Sequence, residues 1–163
     1  MMNVRKTRKE DLPRLAEIFD IARDFMAKEG NPDQWGPRKW PPMSLIEEDI
    51  VNGKGYVVEE DGHIYGTFYF DYGVGVDPCY NYVEDGAWQF DGPYGVIHRI
   101  ASSQEKRGVG AMAIEFASKF VTHLRLDTHK DNIPMQKMLT KYGFKPIGII
   151  YVGPDEPRIA FER

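Results

Sequence analysis

The stretch VIHRIASSQEKRGVGAMAIEFA, residues 96–117, decides how the chain is read. It begins β-branched and apolar, as a strand does. It then passes through a polar loop holding Lys106, Arg107, Gly108 and Gly110 into a run of helix formers. A strand–loop–helix junction of this kind suits phosphate. Glycine lets backbone approach an anion closely, the N–H groups of a first helical turn lack intrahelical acceptors, and the helix dipole favours negative charge there. The structural alternative for the same residues is that Gly108 shapes a turn and Gly110 packs helix on sheet. Neither GxxxxGK[ST] nor GxGxxG occurs, which disfavours the P-loop and Rossmann nucleotide folds.

Downstream, LRLDTHKDNIPMQKMLTKYGF, residues 124–144, repeats the alternation: a strand over Leu124 to Thr128, a polar corner at Asp131-Asn132, and a helix over Ile133 to Tyr142. Met135, Met138, Leu139 and Tyr142 fall at i, i+3, i+4 and i+7, which makes them core-facing. Upstream, Tyr94 to Ala101 forms the motif strand, and Arg107 to Val121 its helix. Gly55 to Glu60 and His63 to Asp71 alternate around Asp61-Gly62 as a hairpin. Asn3 to Thr7 reads as an edge strand. Thr7-x-x-Glu10 opens an amphipathic helix over residues 8–28, and Ser44-x-x-Glu47 opens a shorter one ending near Asn52-Gly53. Phe144 to Phe161 supplies two terminal strands. Two long segments, Gly30 to Met43 and Gly73 to Pro93, carry Trp35, Trp40, Tyr80 and Trp88 and have no regular pattern. The order predicts one α/β domain over residues 1–163, an α+β mixed sheet covered by helices.

Composition narrows the partners. The 163 residues, 42% hydrophobic, can bury one sizeable core. A net charge of −4 argues against nucleic acid or an anionic membrane, and the single cysteine, Cys79, gives no disulfide framework or thiol metal cluster. The four histidines lack HExxH or paired-ligand spacing, so no metal is expected. There is no h-region and no long apolar run, and a cytoplasmic location is expected.

Taken together, residues 94–144 resemble the GNAT superfamily, whose signature is Gln or Arg, two residues, Gly, one residue, then Gly or Ala, followed by Asn and a closing Gly-Phe. Gly143 and Phe144 stand eleven and twelve residues after Asn132, the family's register. The strings VIHRIASS, DTHKDN and IIYVGPDEPRIAFER resemble a group of small bacterial members without an assigned substrate. The resemblance implies a mostly antiparallel sheet splayed at the motif strand. It also implies an acetyl-CoA-dependent N-acetyltransferase acting on the amine of a small molecule or peptide, and leaves a homodimer open. It further implies that Ile100, Ala101 and Ser102 pair with pantetheine, that Lys106, Arg107, Gly108, Val109, Gly110 and Ala111 cradle the diphosphate, and that Asn132 sits beside the thiol end. Two positions depart from the family: Glu105 stands where the signature has Gln or Arg, and Leu139 stands where many members place a tyrosine that protonates the thiolate. Tyr142 is a weak substitute, since it belongs to the apolar stripe.

Aminolysis needs a base more than an acid. His98, on the motif strand, is the first candidate base, with a satisfied buried imidazole as the alternative reading. His129 is the second, since Asp127 shares its face of the strand and could orient it. Ser102 and Ser103 lack a GxSxG elbow, which disfavours a hydrolase. Trp35, Tyr80 and Trp88 are candidate substrate contacts, against the alternative of local core cover. A non-catalytic acyl-CoA-binding module and an interaction domain that keeps only the fold are the competing readings.

Overall fold

The computed structural model describes residues 1–163. Eleven regular elements follow one another: β1 (Asn3–Lys6), α1 (Leu12–Lys28), α2 (Met43–Val51), β2 (Gly55–Glu60), β3 (His63–Gly73), β4 (Tyr94–Ser102), α3 (Val109–Ala117), β5 (Leu124–Thr128), α4 (Ile133–Lys141), β6 (Lys145–Tyr151) and β7 (Pro157–Glu162). The strands form one sheet in the order β1-β2-β3-β4-β5-β7-β6, antiparallel everywhere except between β4 and β5. No helix is long and apolar enough to cross a membrane.

Strand alternation sorts the side chains onto two faces. The back face takes Val58, Phe68, Phe70, Ile97, Leu124, Leu126 and Phe161, and α3 and α4 cover it with Ala113, Ile114, Ala117 and Leu139. The front face carries Val57 and Ile64 under Leu15, Ile18 and Phe19 of α1 and Ile46 of α2. Farther along that face, Tyr80 packs over Val96, Ile150 and Ala160. The segment between β3 and β4 is therefore folded onto the sheet. The carboxylate of Glu162 accepts the N–H groups of Gln89 (2.8 Å) and Phe90 (3.0 Å), and Glu84 bridges to Ile149.

Three predicted boundaries move. The N-terminal helix starts at Leu12, because Asp11, not Glu10, closes the turn: its Oδ2 accepts Arg8 N–H at 2.7 Å and it also binds Arg5. Thr7 keeps a buried hydroxyl without a partner. The second helix begins at Met43 after Pro42, with no side-chain cap from Ser44. The motif helix is confined to Val109–Ala117 and starts after Gly108, whose φ of 106° suits glycine. The hairpin turn is as predicted, with Asp61 and Gly62 both at positive φ.

Two irregularities make room for a site. β4 and β5 pair only at Gly95↔Leu124 and Val96↔Arg125, then part, so β4 from Ile97 onward is paired on the β3 side alone. At the same level β4 carries a bulge: His98 faces Tyr69 and Ala101 faces Thr67, leaving two β4 residues against Phe68. Arg99 sits in this bulge at a φ of 54°. It forms a two-pronged pair with buried Asp49 (2.8 and 3.0 Å) and lies over the Tyr69 ring.

Candidate functional site

The gap between β4 and β5 opens on the front face into a cleft of about 620 Å³. Its floor is Tyr69, His98, Asp127, His129 and Arg158; one wall is the segment around Trp35 and Arg38, and the other is Val76, Asp77 and Cys79. Register explains the floor. Val96 pairs with Arg125, Tyr69 with His98 and Asp127 with Ala160, so His98, Asp127 and Arg158 all project from one face of three adjacent strands, and His129 follows just past the end of β5.

His98 is three-quarters buried, with Nε2 2.7 Å from Asp77 Oδ2 and Nδ1 4.0 Å from Asp127 Oδ2. Burial alone would raise the Asp77 carboxyl. The hydrogen bond and charge of His98 and the N–H of Cys79 outweigh it and hold the group below its ordinary value. An ionised Asp77 can only accept, so Nε2 is the donor to it and Nδ1 is the nitrogen left to exchange a proton with the cleft. Tyr69 stacks on the ring, and Tyr80 O–H donates to Asp127 at 2.7 Å. The imidazole is thus fixed in orientation and tautomer, as a general base requires.

His129 also lines the cleft but is set differently. Its Nδ1 accepts the N–H of Asp131 at 3.1 Å, which leaves Nε2–H as a donor. Burial lowers its pKa first, and the charge of Arg158 lowers it further. The expected orientation by Asp127 is not observed, because that carboxylate serves Tyr80 and lies beside His98.

Burial raises the Cys79 thiol, and the nearby carboxylates of Asp77 and Asp127 raise it further, so no thiolate is available in the cleft. Neither serine of the motif loop forms a pair with His98. Ser102 Oγ accepts Gln104 N–H at 3.0 Å and Ser103 Oγ accepts Glu105 N–H at 3.4 Å, contacts that fold the loop.

At the far end of β4 the loop turns into α3. The N–H groups of Val109, Gly110 and Ala111 occupy the first helical turn, where no intrahelical acceptor exists. Arg107 makes no ion pair, whereas Lys106 is tied to Glu60 and Glu105 to Arg14. The structural reading of Gly110 is also satisfied, since a Cβ there would lie 2.2 Å from Met138 Sδ. Ile100 lines the cleft, and Ala101 is buried against the α1 cluster, so only its backbone is available to a ligand. Asn132 caps α4, with Oδ1 accepting Met135 N–H at 3.2 Å and Nδ2 donating to Gln34 at 3.0 Å. Leu139 is fully buried.

Of the aromatic substrate candidates, Trp35 lines the cleft although it is largely buried on Phe19. Tyr80 is 2% exposed and reaches the site through its bond to Asp127 and edge-on packing against the His98 ring, and Trp88 packs behind it, donating to the Tyr80 carbonyl at 2.8 Å. Both lie outside the cleft lining. Sequence reasoning missed Asp77, Tyr69 and Arg158. Asp77 stands in a segment without periodicity, and the one local signal is Asp before Pro-Cys, where it caps a short turn by accepting Cys79 N–H.

The profile described as Acetyltransferase (GNAT) family matches residues 15–144. A GNAT-family acetyltransferase from Streptococcus agalactiae 2603 is 28% identical and superposes with a TM-score of 0.87, over 99% of this chain and 94% of that one. GNAT-family acetyltransferases from Listeria monocytogenes (21% identity, TM-score 0.71, 99% and 94% covered) and Bacillus cereus (24% identity, TM-score 0.62, 100% and 96% covered) share the fold. No curated protein matches the chain.

Proposed function

The chain belongs to the acetyltransferase (GNAT) family, and on that premise we propose that it transfers an acetyl group from acetyl-CoA to the amine of a small molecule by direct attack. The observation that carries this reading is His98, aligned by Asp77, on the floor of the gap where β4 leaves β5.

The residues present fit acetyl-CoA. The β4 edge from Ile97 to Ser102 lacks a partner strand on the β5 side, which suits an extended pantetheine arm with its amides. The free N–H groups of Val109 to Ala111 and the unpaired Arg107 suit a diphosphate, and Gly108 permits the turn that presents them. Thr128, which lines the cleft, has a buried Oγ1 without a partner in the protein. When bound, acetyl-CoA supplies a carbonyl activated as a thioester.

Nδ1 of His98 takes the proton that the attacking amine must lose, and Asp77 and Asp127 stabilise the imidazolium that results. The same carboxylates attract the ammonium form of the acceptor into the cleft. Cys79, held as a thiol, offers no nucleophile for a covalent acyl-enzyme, which favours direct transfer. Leu139 cannot protonate the leaving thiolate. His129 Nε2–H is the cleft donor that could serve, and a thiolate needs little such help.

Calorimetric titration of acetyl-CoA into the protein, with amine-dependent thiol release measured in parallel, tests the proposal. Binding with turnover on at least one amine is expected, and Gly108→Glu should abolish both by placing a carboxylate in the diphosphate position. Binding without turnover on any amine would instead make the protein an acyl-CoA-binding module, and no binding would refute both readings.

A further inference from the structure

The cleft is bipolar. Its acidic pole is Asp77 and Asp127 around His98. Its basic pole is Arg158, which is 9% exposed yet has no carboxylate within salt-bridge reach. The only hydrogen bond of Arg158 runs from Nη1 to the carbonyl of adjacent Pro157, at 2.9 Å. The titratable and charged groups facing it are Asp127, beyond 4 Å, His129, and Arg38, which is already paired with Glu156. A guanidinium buried without a partner is costly, and burial lowers its pKa accordingly. No contact within the fold accounts for that cost.

Register gives the distance between the poles. Asp127 pairs with Ala160, so Arg158 is its diagonal neighbour on the same face of the β5–β7 ladder, about 7–8 Å away at the backbone. The cleft that both poles line, about 620 Å³, admits a molecule of amino-acid size, with its amine toward His98 and an anionic group on Arg158. A planar guanidinium with free N–H groups matches a carboxylate in two-pronged fashion.

We infer that the acceptor is an amino acid or an amino-acid-like small molecule, whose carboxylate is held by Arg158 while its amine is presented to His98. The inference rests on the acetyltransfer proposed above and adds the class of acceptor.

The test uses the twenty L-amino acids beside their α-carboxamides, together with putrescine and cadaverine, in the thiol-release assay with acetyl-CoA. The expected result is at least one amino acid with kcat/KM roughly 10-fold or more above its amide, the size of one charge-assisted hydrogen bond. Arg158→Gln should collapse that ratio toward one by raising KM, with kcat and the Kd for acetyl-CoA unchanged. Arg158→Lys should restore part of it. The melting temperature of Arg158→Gln should be no lower than that of the parent, whereas a structural arginine would lower it. Equal use of amides, a ratio that survives Arg158→Gln, or turnover confined to carboxylate-free amines would overturn the inference. Calorimetry with the same amino acids and free protein keeps the two proposals apart. If acetyl-CoA fails to bind, Arg158-dependent amino acid binding still supports this one, and no amino acid binding refutes it.

Discussion

At the scale of single residues, the consequences centre on two imidazoles and one thiol. His98→Gln keeps much of the ring's shape and removes its titration, so kcat should fall by about 10²–10⁴-fold while calorimetric affinity for acetyl-CoA stays unchanged. His129 has a folded pKa depressed by burial and by Arg158. Between the depressed and the ordinary histidine value the unfolded chain binds more protons, so stability rises with pH there. The contribution is complete above about pH 6.5, the unfolded value, and is lost as pH falls toward the folded value. Urea titrations from pH 7.5 to 5 should therefore show a shallower decline for His129→Gln than for the parent. Cys79, with its thiol pKa raised, should react slowly with iodoacetamide at pH 7.5, and Cys79→Ala should retain most transfer activity; its loss would favour a covalent route. These roles differ in how well the sequence announces them. His98 and His129 were legible because the first stands in a recognisable strand and the second directly follows one. Asp77 and Arg158 were not, since the groups they face lie 21 and 31 residues away in the chain, His98 from Asp77 and Asp127 from Arg158, and are brought near only by sheet register.

At the scale of elements, the start of α3 is set by its seat on β3. A Cβ on Gly66 would stand 2.4 Å and 2.7 Å from the two methyls of Val109 and 2.8 Å from the Ala101 carbonyl. Neither the branched side chain nor the strand backbone can yield easily, so Gly66→Ala should cost about 1–3 kcal/mol in denaturant unfolding and weaken acetyl-CoA binding. Helix starts were the least legible elements. Thr7-x-x-Glu10 has the form of a capping box, yet Asp11 takes the job because Arg5 on β1 holds it in place, a contact that local pattern does not contain. The Gly73–Pro93 segment reads as a long functional loop and is largely a structural cover, pinned by Glu162 at the other end of the chain. It lines the cleft only in its β3-proximal part, at Val76, Asp77 and Cys79, with Tyr80 supporting Asp127 from beneath.

For the whole molecule, the architecture was legible because the alternation of strand and helix after a hairpin admits few arrangements. The cleft itself was not, since its floor combines β3, β4, β5 and β7. A ligand that touches so many elements stabilises the folded state as a unit. At a concentration 100 times its Kd, acetyl-CoA should add about 2.7 kcal/mol, and for a domain of this size the melting midpoint should rise by roughly 5–10 °C. Differential scanning fluorimetry reads this directly, and Gly108→Glu should remove the rise.

The short parallel join between β4 and β5 also bears on how the protein comes apart. Each side of it is an antiparallel ladder, β1 to β4 and β5 to β6, while the join itself has two residue pairs. Under mild heating or force the molecule should therefore open like a book along this spine, each leaf keeping its amide protons longer than the spine does. Anything laid along the free edge of β4 would act as the binding that keeps the book shut.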